Sequence, residues 1–116
     1  MEGRKLTRAE TVWVPSPGQD GEVFVGDMIG PSDGGPITVG FGRYGPHQSI
    51  TETMTVDDVM IVLEGELSVS ATTGTFIAGP GEIVYMPKGQ QVTISSHDQG
   101  AVTAYVTHPH WSTARR

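Results

Sequence analysis

The sequence predicts a small all-β domain, a closed or double-sheet β-barrel with little or no helix. Three observations support this fold class. The chain has 116 residues, which suits one domain with a single hydrophobic core. Short β-rich runs dominate, and helical periodicity is nearly absent. Sixteen glycines and eight prolines separate these runs with turn signals.

Nine short segments carry the β signal, and their close spacing favours antiparallel pairing through tight turns. They are residues 11–14, 22–29, 37–44, 58–63, 67–71, 75–78, 82–86, 92–95 and 101–107. The first segment is stopped by Pro15, and the second alternates Val23 and Val25 with small or polar neighbours. In the third, Gly40 and Gly42 predict bulges or a close approach of another part of the chain.

The later segments are defined as much by their turns as by their apolar residues. Residues 58–63 form a nearly continuous apolar run, as expected for a strand that is covered on both faces. Turns are predicted at residues 64–66, 73–74, 79–81, 87–89 and 97–98. The last of these, His97 and Asp98, is interpreted as a hairpin turn between the final two strands.

Composition and charge exclude several classes of partner. The chain has no cysteine, so disulfides and thiolate metal sites are absent. Between residues 9 and 114 the only cations are Arg43 and Lys88, against 12 of the 13 acidic side chains. We therefore expect no nucleic-acid partner and no binding to anionic membranes. The polar N-terminus and the lack of a long apolar run predict neither a secretory leader nor a membrane helix, and hence a cytoplasmic protein.

Two stretches resemble the cupin superfamily, whose motifs are G-x5-H-x-H-x3,4-E-x6-G and G-x5-P-x-G-x2-H-x3-N. The run from Asp58 to Gly65 is similar to the end of the first motif, with Asp in place of Glu. The run from Gly81 to Gly89 is similar to the start of the second. The resemblance implies a single cupin domain over residues 1–116, a double-stranded β-helix or jelly-roll barrel, with flexible ends at residues 1–10 and 112–116.

Within the cupins, the chain looks most like the ethanolamine-utilisation EutQ branch. The resemblance covers about residues 23–111 and is carried by residues 23–27, 34–42, 54–67 and 81–89. It implies a homodimer and a link to small-acid metabolism or bacterial microcompartments. An acetate kinase activity is attributed to that branch. The sequence has no Walker-type phosphate loop and few cations in its body to bind ATP, which argues against carrying that activity over.

The positions where cupins hold a metal have lost their histidines. Alignment of the motifs places Glu52, Met54 and Val92 at the three histidine positions, and Asp58 at the carboxylate position. We therefore predict no metal cofactor. A divalent ion on Glu52, Asp58 and one histidine of the His108-Pro109-His110 segment is the remaining metal-binding alternative.

Glu52 and Asp58 are the main catalytic candidates, with Tyr44 and His47 beside them in the sequence. Two carboxylates in an apolar barrel raise each other's pKa, so one can accept a proton while the other donates one. In the alternative interpretation Asp58 is bonded to backbone at the barrel rim, Glu52 is exposed, and His47 is a solvated loop residue. The loop that carries Tyr44 and His47 is expected to cover the barrel mouth.

Strand alternation adds a set of candidate substrate-binding residues. Even-numbered positions along the strands should point into the barrel, provided that the strands are unbroken. Alternation selects Met54, Met60 and Val62, and the motif alignment adds Val92. Tyr85 and Tyr105 are candidates because they lie in predicted strands and could aim a hydroxyl at a substrate. Packing in the core is the alternative role for each of them. The sequence thus predicts an enzyme of isomerase, lyase or cyclase type that acts on a small molecule. The alternatives are a non-catalytic accessory protein or an acetate kinase-like enzyme.

Overall fold

The computed structural model describes residues 2–18 and 21–114, which fold into an almost entirely β structure. The strands are β1 (Val14–Pro15), β2 (Val23–Ile29), β3 (Thr38–Tyr44), β4 (Ser49–Thr53), β5 (Asp57–Ala71), β6 (Gly74–Ala78), β7 (Ile83–Met86) and β8 (Gln91–His108). A short helix, α1 (Trp111–Ala114), follows β8, and two 3-10 turns lie at Arg8–Glu10 and Pro31–Asp33. The predicted all-β class is confirmed.

Two long strands, β5 and β8, form the centre of the fold. They pair antiparallel from Asp57 opposite His108 to Ser70 opposite Thr93. The first half of β5 also pairs with β7 and its second half with β6. In the same way, β8 pairs with β4 through its first half and with β3 through its second. Each long strand therefore has a different second neighbour along each of its halves, and the order of this one eight-stranded sheet continues from β3 to β2 and β1.

Both long strands bend at a glycine where the sequence predicted a turn. Gly65 and Gly100 have φ angles of 74° and 67°, and the register of β5 against β8 shifts on both sides of residues 64–65. A Cβ on Gly65 would lie 2.0 Å from the carbonyl oxygen of Gly100, so only glycine fits there. The turn predicted at residues 64–66 and the hairpin predicted at 97–98 are therefore wrong. Bulges bend the two strands without ending them.

One strand, β4, was not predicted, and β1 is shorter than predicted. β4 pairs with β8 from Ser49 opposite Ser95 to Thr53 opposite Gln91. Its alternating threonines and serine are polar on the exposed face, so the local apolar signal is weak. β1 contains only Val14 and Pro15, which pair with Val25 and Phe24, so residues 11–13 lie outside the strand and Pro15 is part of it.

The barrel interior is built from alternate residues of these strands. Burial confirms that positions 54, 60, 62 and 92 point inward. The buried apolar cluster comprises Met54, Met60, Val62, Leu67, Val69, Ala78, Val84, Met86, Val92, Ile94 and Ala101. The close approach predicted at Gly40 and Gly42 is also confirmed. A Cβ at either position would lie 2.6 Å from a side-chain oxygen of β8, that of Tyr105 or of Thr103.

The N-terminal segment contacts the barrel. Arg4 donates to the carbonyl oxygen of Met28, and Arg8 pairs with Glu64 on β5. Of the ends predicted to be flexible, residues 1, 115 and 116 lie outside the described residues. Within the described part of the chain, no helix has the length and apolar character needed to cross a membrane.

Candidate active site in the barrel

A cavity opens inside the barrel between the inner faces of β2, β3, β4, β5 and β8. It offers about 90 Å³ to the centres of water-sized molecules. By the same measure one water needs about 10–15 Å³, so the cavity can hold several waters or one small organic molecule. Ser16 and Pro17, which follow β1, and Trp111 from α1 also line it. Both ends of the chain therefore contribute to its wall.

Four ionisable side chains line this cavity, each from a different strand. They are Tyr44 at the end of β3, Glu52 on β4, Asp58 at the start of β5 and Tyr105 on β8. Strand alternation brings them together, because each belongs to the inward-facing set of its own strand. These four side chains comprise three of the four catalytic candidates and one candidate binding residue, Tyr105.

Asp58 is the least satisfied group in the cavity. Its Oδ1 is buried and has no hydrogen-bond partner among the described residues. The alternative in which backbone hydrogen bonds hold that oxygen at the rim is therefore not observed. Burial, and after it the negative charge of Glu52, raises the pKa of Asp58 from 3.8 to about 7. Near neutral pH this carboxyl can both hold and release a proton.

Tyr44 and Tyr105 supply hydroxyl groups that stay protonated. Burial, with smaller contributions from the charges of Asp58 and Glu52, raises the pKa of Tyr44 far above its ordinary value. Burial and the hydrogen bond to Asp27 do the same for Tyr105. Both phenols are therefore hydrogen-bond donors and not bases at physiological pH.

Asp27 is a residue that sequence reasoning missed. Its Oδ1 accepts a hydrogen bond of 2.5 Å from the Tyr105 hydroxyl and one of 3.0 Å from the indole N–H of Trp111. Tyr105 reaches it across Gly40, which pairs with Asp27 and leaves room for the phenol. The available signal was a lone charged residue in an otherwise apolar strand, opposite a glycine. Asp27 thus ties the cavity wall to helix α1.

The methionines and valines among the predicted binding residues divide into two groups. Met54 and Met60 line the cavity together with Met86 and make its floor apolar. Val62 and Val92 are buried in the core but do not line the cavity. Sequence alternation identifies the inward face correctly, but it does not distinguish positions beside the cavity from positions packed beneath it.

His47 and Tyr85 lie away from the cavity, which corrects their expected placement. The His47 side chain is 69% exposed and its Nε2 lies 2.9 Å from Oδ1 of Asp98. Residues 45–48 turn the loop outward, and His47 adopts a φ of 53° there. Tyr85 is 60% exposed, because odd-numbered positions of β7 face outward, and it donates to Asp57.

The residues at the cupin metal positions do not fit a transition-metal site. Glu52 and Asp58 offer carboxylates, but Met54 offers only a thioether and Val92 has no donor atom. Among residues 2–18 and 21–114, no group of three or more His, Cys, Asp or Glu side chains is arranged to hold a metal ion.

The histidines after β8 do not complete such a site either. His108 is exposed at the end of the strand. His110 places Nδ1 2.7 Å from the hydroxyl of Thr38 and Nε2 2.8 Å from the carbonyl oxygen of Gly35. Both ring nitrogens of His110 are thus engaged in fastening the C-terminal segment to the start of β3.

Comparison with known proteins assigns the family. The family profile described as ethanolamine utilisation protein EutQ matches residues 15–113. The chain belongs to the EutQ family. As a EutQ-family chain it is similar to acetate kinase EutQ of Salmonella typhimurium LT2, with 32% identity over 66 residues. That match covers 57% of this chain, and the chain spans only 28% of the length of this curated relative.

Solved structures show the same fold. A protein of unknown function from Rhizobium leguminosarum bv. viciae 3841 is 55% identical with a TM-score of 0.79, over 95% of this EutQ-family chain and 100% of the other. An RmlC-like cupin from Shewanella frigidimarina NCIMB 400 has a TM-score of 0.74 at 11% identity, over 93% and 92% of the two chains. The predicted cupin fold and EutQ-like identity are therefore confirmed.

Proposed function

We propose that this EutQ-family cupin is an enzyme that moves protons on a small molecule bound in the barrel cavity, as isomerases, lyases and cyclases do. The observation that carries the proposal is the buried carboxyl of Asp58, whose Oδ1 has no hydrogen-bond partner among the described residues and which lies near Glu52 in the barrel cavity. Unsatisfied buried carboxyls are costly, and they concentrate where chemistry needs them.

The proton balance of such a reaction needs only the residues of the cavity. One carboxylate, Glu52 or Asp58, takes a proton from a carbon or hydroxyl of the substrate. The protonated partner gives one to another atom of the substrate, so the enzyme ends with its original proton count. The hydroxyl of Tyr44 donates a hydrogen bond to the oxygen on which negative charge develops. Tyr105 in the same wall donates its single proton to Asp27, so its oxygen can only accept a hydrogen bond from the substrate.

A hydrogen–deuterium exchange assay tests this proposal without knowledge of the product. Small ketones with neutral, amine and carboxylate substituents are incubated with the protein in D2O, and loss of the C–H signal is followed by proton NMR. We expect the wild type to accelerate exchange in at least one class. Asp58→Asn and Glu52→Gln should each reduce that acceleration about 10²–10⁴-fold, because general acid–base catalysis contributes about that much.

Asp57→Asn is the matched control for this assay. Asp57 is the neighbouring carboxylate, it is exposed, and it binds the backbone N–H of Lys88 outside the cavity. Exchange rates that are equal in wild type and Asp58→Asn, or equally reduced by Asp57→Asn, would contradict a catalytic role of the cavity.

Acetate kinase-like activity is the second candidate, because the Salmonella relative carries that name. It requires two anions, acetate and ATP, to bind near each other. No Lys, Arg or His is among the described residues that line the cavity, and its ionisable lining includes Glu52 and Asp58. We therefore expect no acetyl phosphate from acetate and ATP. Formation of acetyl phosphate that survives Asp58→Asn would favour a different site for this activity.

A non-catalytic accessory protein is the third candidate. In that case none of the ketones should exchange deuterium faster with the protein than in buffer, and pull-down should recover a shell protein or enzyme partner. A homodimer, a cytoplasmic location and the absence of nucleic-acid or membrane partners stay predictions.

A further inference from the structure

The charge of the cavity restricts what it can bind. Its described lining contains two carboxylates, Glu52 and Asp58, and no basic side chain. The two cations in the body of the chain lie elsewhere. Arg43 lies over the rings of Trp13 and Phe24 at 5.0 and 4.9 Å from their centroids, and Lys88 is exposed in the turn after β7. An anion in the cavity would meet these two carboxyl groups without a basic side chain among the described lining residues, and burial strengthens that repulsion.

The hydrogen-bonding state of Asp58 points to the kind of group that is missing. Its buried Oδ1 has no donor among the described residues. The nearby phenol of Tyr105 already donates its proton to Asp27. A ligand with N–H donors and a positive charge would give the carboxyl both a hydrogen bond and an opposite charge. Such charge-assisted hydrogen bonds are stronger than those between neutral groups.

The rest of the lining suits the organic part of such a cation. Tyr44, Tyr105 and Trp111 contribute aromatic side chains, whose ring faces attract cations. Met54 and Met60 contribute polarizable thioethers beside them. The volume of about 90 Å³ restricts the ligand to a small molecule.

We propose that the cavity binds a small organic cation, a protonated primary amine, whose ammonium group bonds the carboxylates of Glu52 and Asp58. This inference deepens the proposed function by naming its substrate class, and it rests on the same cavity being the site. It also distinguishes this chain from a protein whose cavity takes acetate or a nucleotide.

Three probes of nearly equal size test the charge preference: n-propylammonium, propionate and 1-propanol. The protein is labelled with ¹³C at its methionine methyl groups and titrated with each probe in two-dimensional NMR. Met54, Met60 and Met86 line the cavity, whereas Met28 lies outside it and serves as an internal control. We expect n-propylammonium to shift the cavity methyl signals saturably, without moving that of Met28. Propionate should not shift them, and 1-propanol should bind at least about tenfold more weakly than n-propylammonium.

Variants show which side chains make the contact. Asp58→Asn and Glu52→Gln should each weaken n-propylammonium at least about tenfold, and Asp57→Asn should leave it unchanged. Using two cavity variants keeps the test valid if one of them folds poorly. Propionate or 1-propanol binding as tightly as the amine, or amine binding that neither variant weakens, would overturn the inference. So would the absence of cavity shifts with all three probes.

The binding result and the exchange result can fail separately. Saturable amine binding without any accelerated exchange supports the inference and refutes the acid–base enzyme. Accelerated exchange only in ketones without an amine, with no binding of n-propylammonium, refutes the inference and supports the enzyme. Exchange confined to amine-bearing ketones supports both.

Discussion

Replacing Asp58 by Asn should stabilise the protein increasingly as the pH rises. The pKa of this carboxyl is about 7 in the folded chain and 3.8 in an ordinary setting. A carboxyl whose pKa is raised by folding binds its proton more tightly in the folded state. The free energy of unfolding of the wild type therefore falls as pH rises from about 4 to about 7, and this contribution is constant above that range. Asn at position 58 has no proton to lose.

The expected size of the effect follows from the two pKa values. At about 1.4 kcal/mol for each pH unit between 3.8 and 7, the full difference is about 4 kcal/mol. At pH 5 the wild type has already lost part of this stability. The advantage of Asp58→Asn over wild type should therefore grow by about 2.5 kcal/mol between pH 5 and pH 8. Any change in packing caused by the substitution is the same at both pH values and cancels in this comparison.

Urea unfolding at pH 5, 6, 7 and 8, followed by tryptophan fluorescence, measures this difference. Asp57→Asn controls for the loss of one negative charge, because Asp57 is exposed one position away. A free-energy difference for Asp58→Asn that is flat with pH would refute the reasoning, as would the same pH dependence in Asp57→Asn. Either result would mean that burial of this carboxyl does not perturb its ionisation.

Three further predictions concern the fold and its assembly. Gly65→Ala should lower the free energy of unfolding by about 2 kcal/mol or more, because φ is positive and the new Cβ would meet the Gly100 carbonyl. As a control, Gly30→Ala should lower it by less than about 1 kcal/mol in the same urea experiment, because a Cβ at Gly30 has open space. Asp27→Ala should cost about 1–3 kcal/mol, since it leaves Tyr105 and Trp111 without their shared acceptor; Asp98→Asn, which loses only an exposed pair with His47, should cost less than about 1 kcal/mol. Light scattering after size exclusion should give the mass of a homodimer. Ile83→Glu should shift that mass towards the monomer, because Ile83 is 66% exposed beside the exposed Tyr85 on the outer sheet face. A dimer that persists in this variant would place the interface elsewhere.

Local patterns predicted the site better than they predicted the strand ends. Motif spacing and strand alternation placed Glu52, Met54, Asp58 and Met60 on inward faces, and all four line one cavity. Those patterns depend only on neighbouring residues, since side chains alternate along any regular strand. The loop carrying His47 has no such regularity, so its direction could not be deduced, and it turns outward.

What the sequence determined by itself was the all-β class, the cupin resemblance and the inward parity of the site residues. Alternation, turn residues and motif spacing are local properties, so they can be identified without knowing which strands become neighbours. The tertiary structure alone decided that β5 and β8 continue through Gly65 and Gly100, because a bulge and a turn share the same local signal. It also decided that Asp27 meets Tyr105 and Trp111, 78 and 84 residues away, and that Oδ1 of Asp58 is buried without a hydrogen-bond partner among residues 2–18 and 21–114. Partners at such separations are set by strand order, which no short segment of the chain encodes.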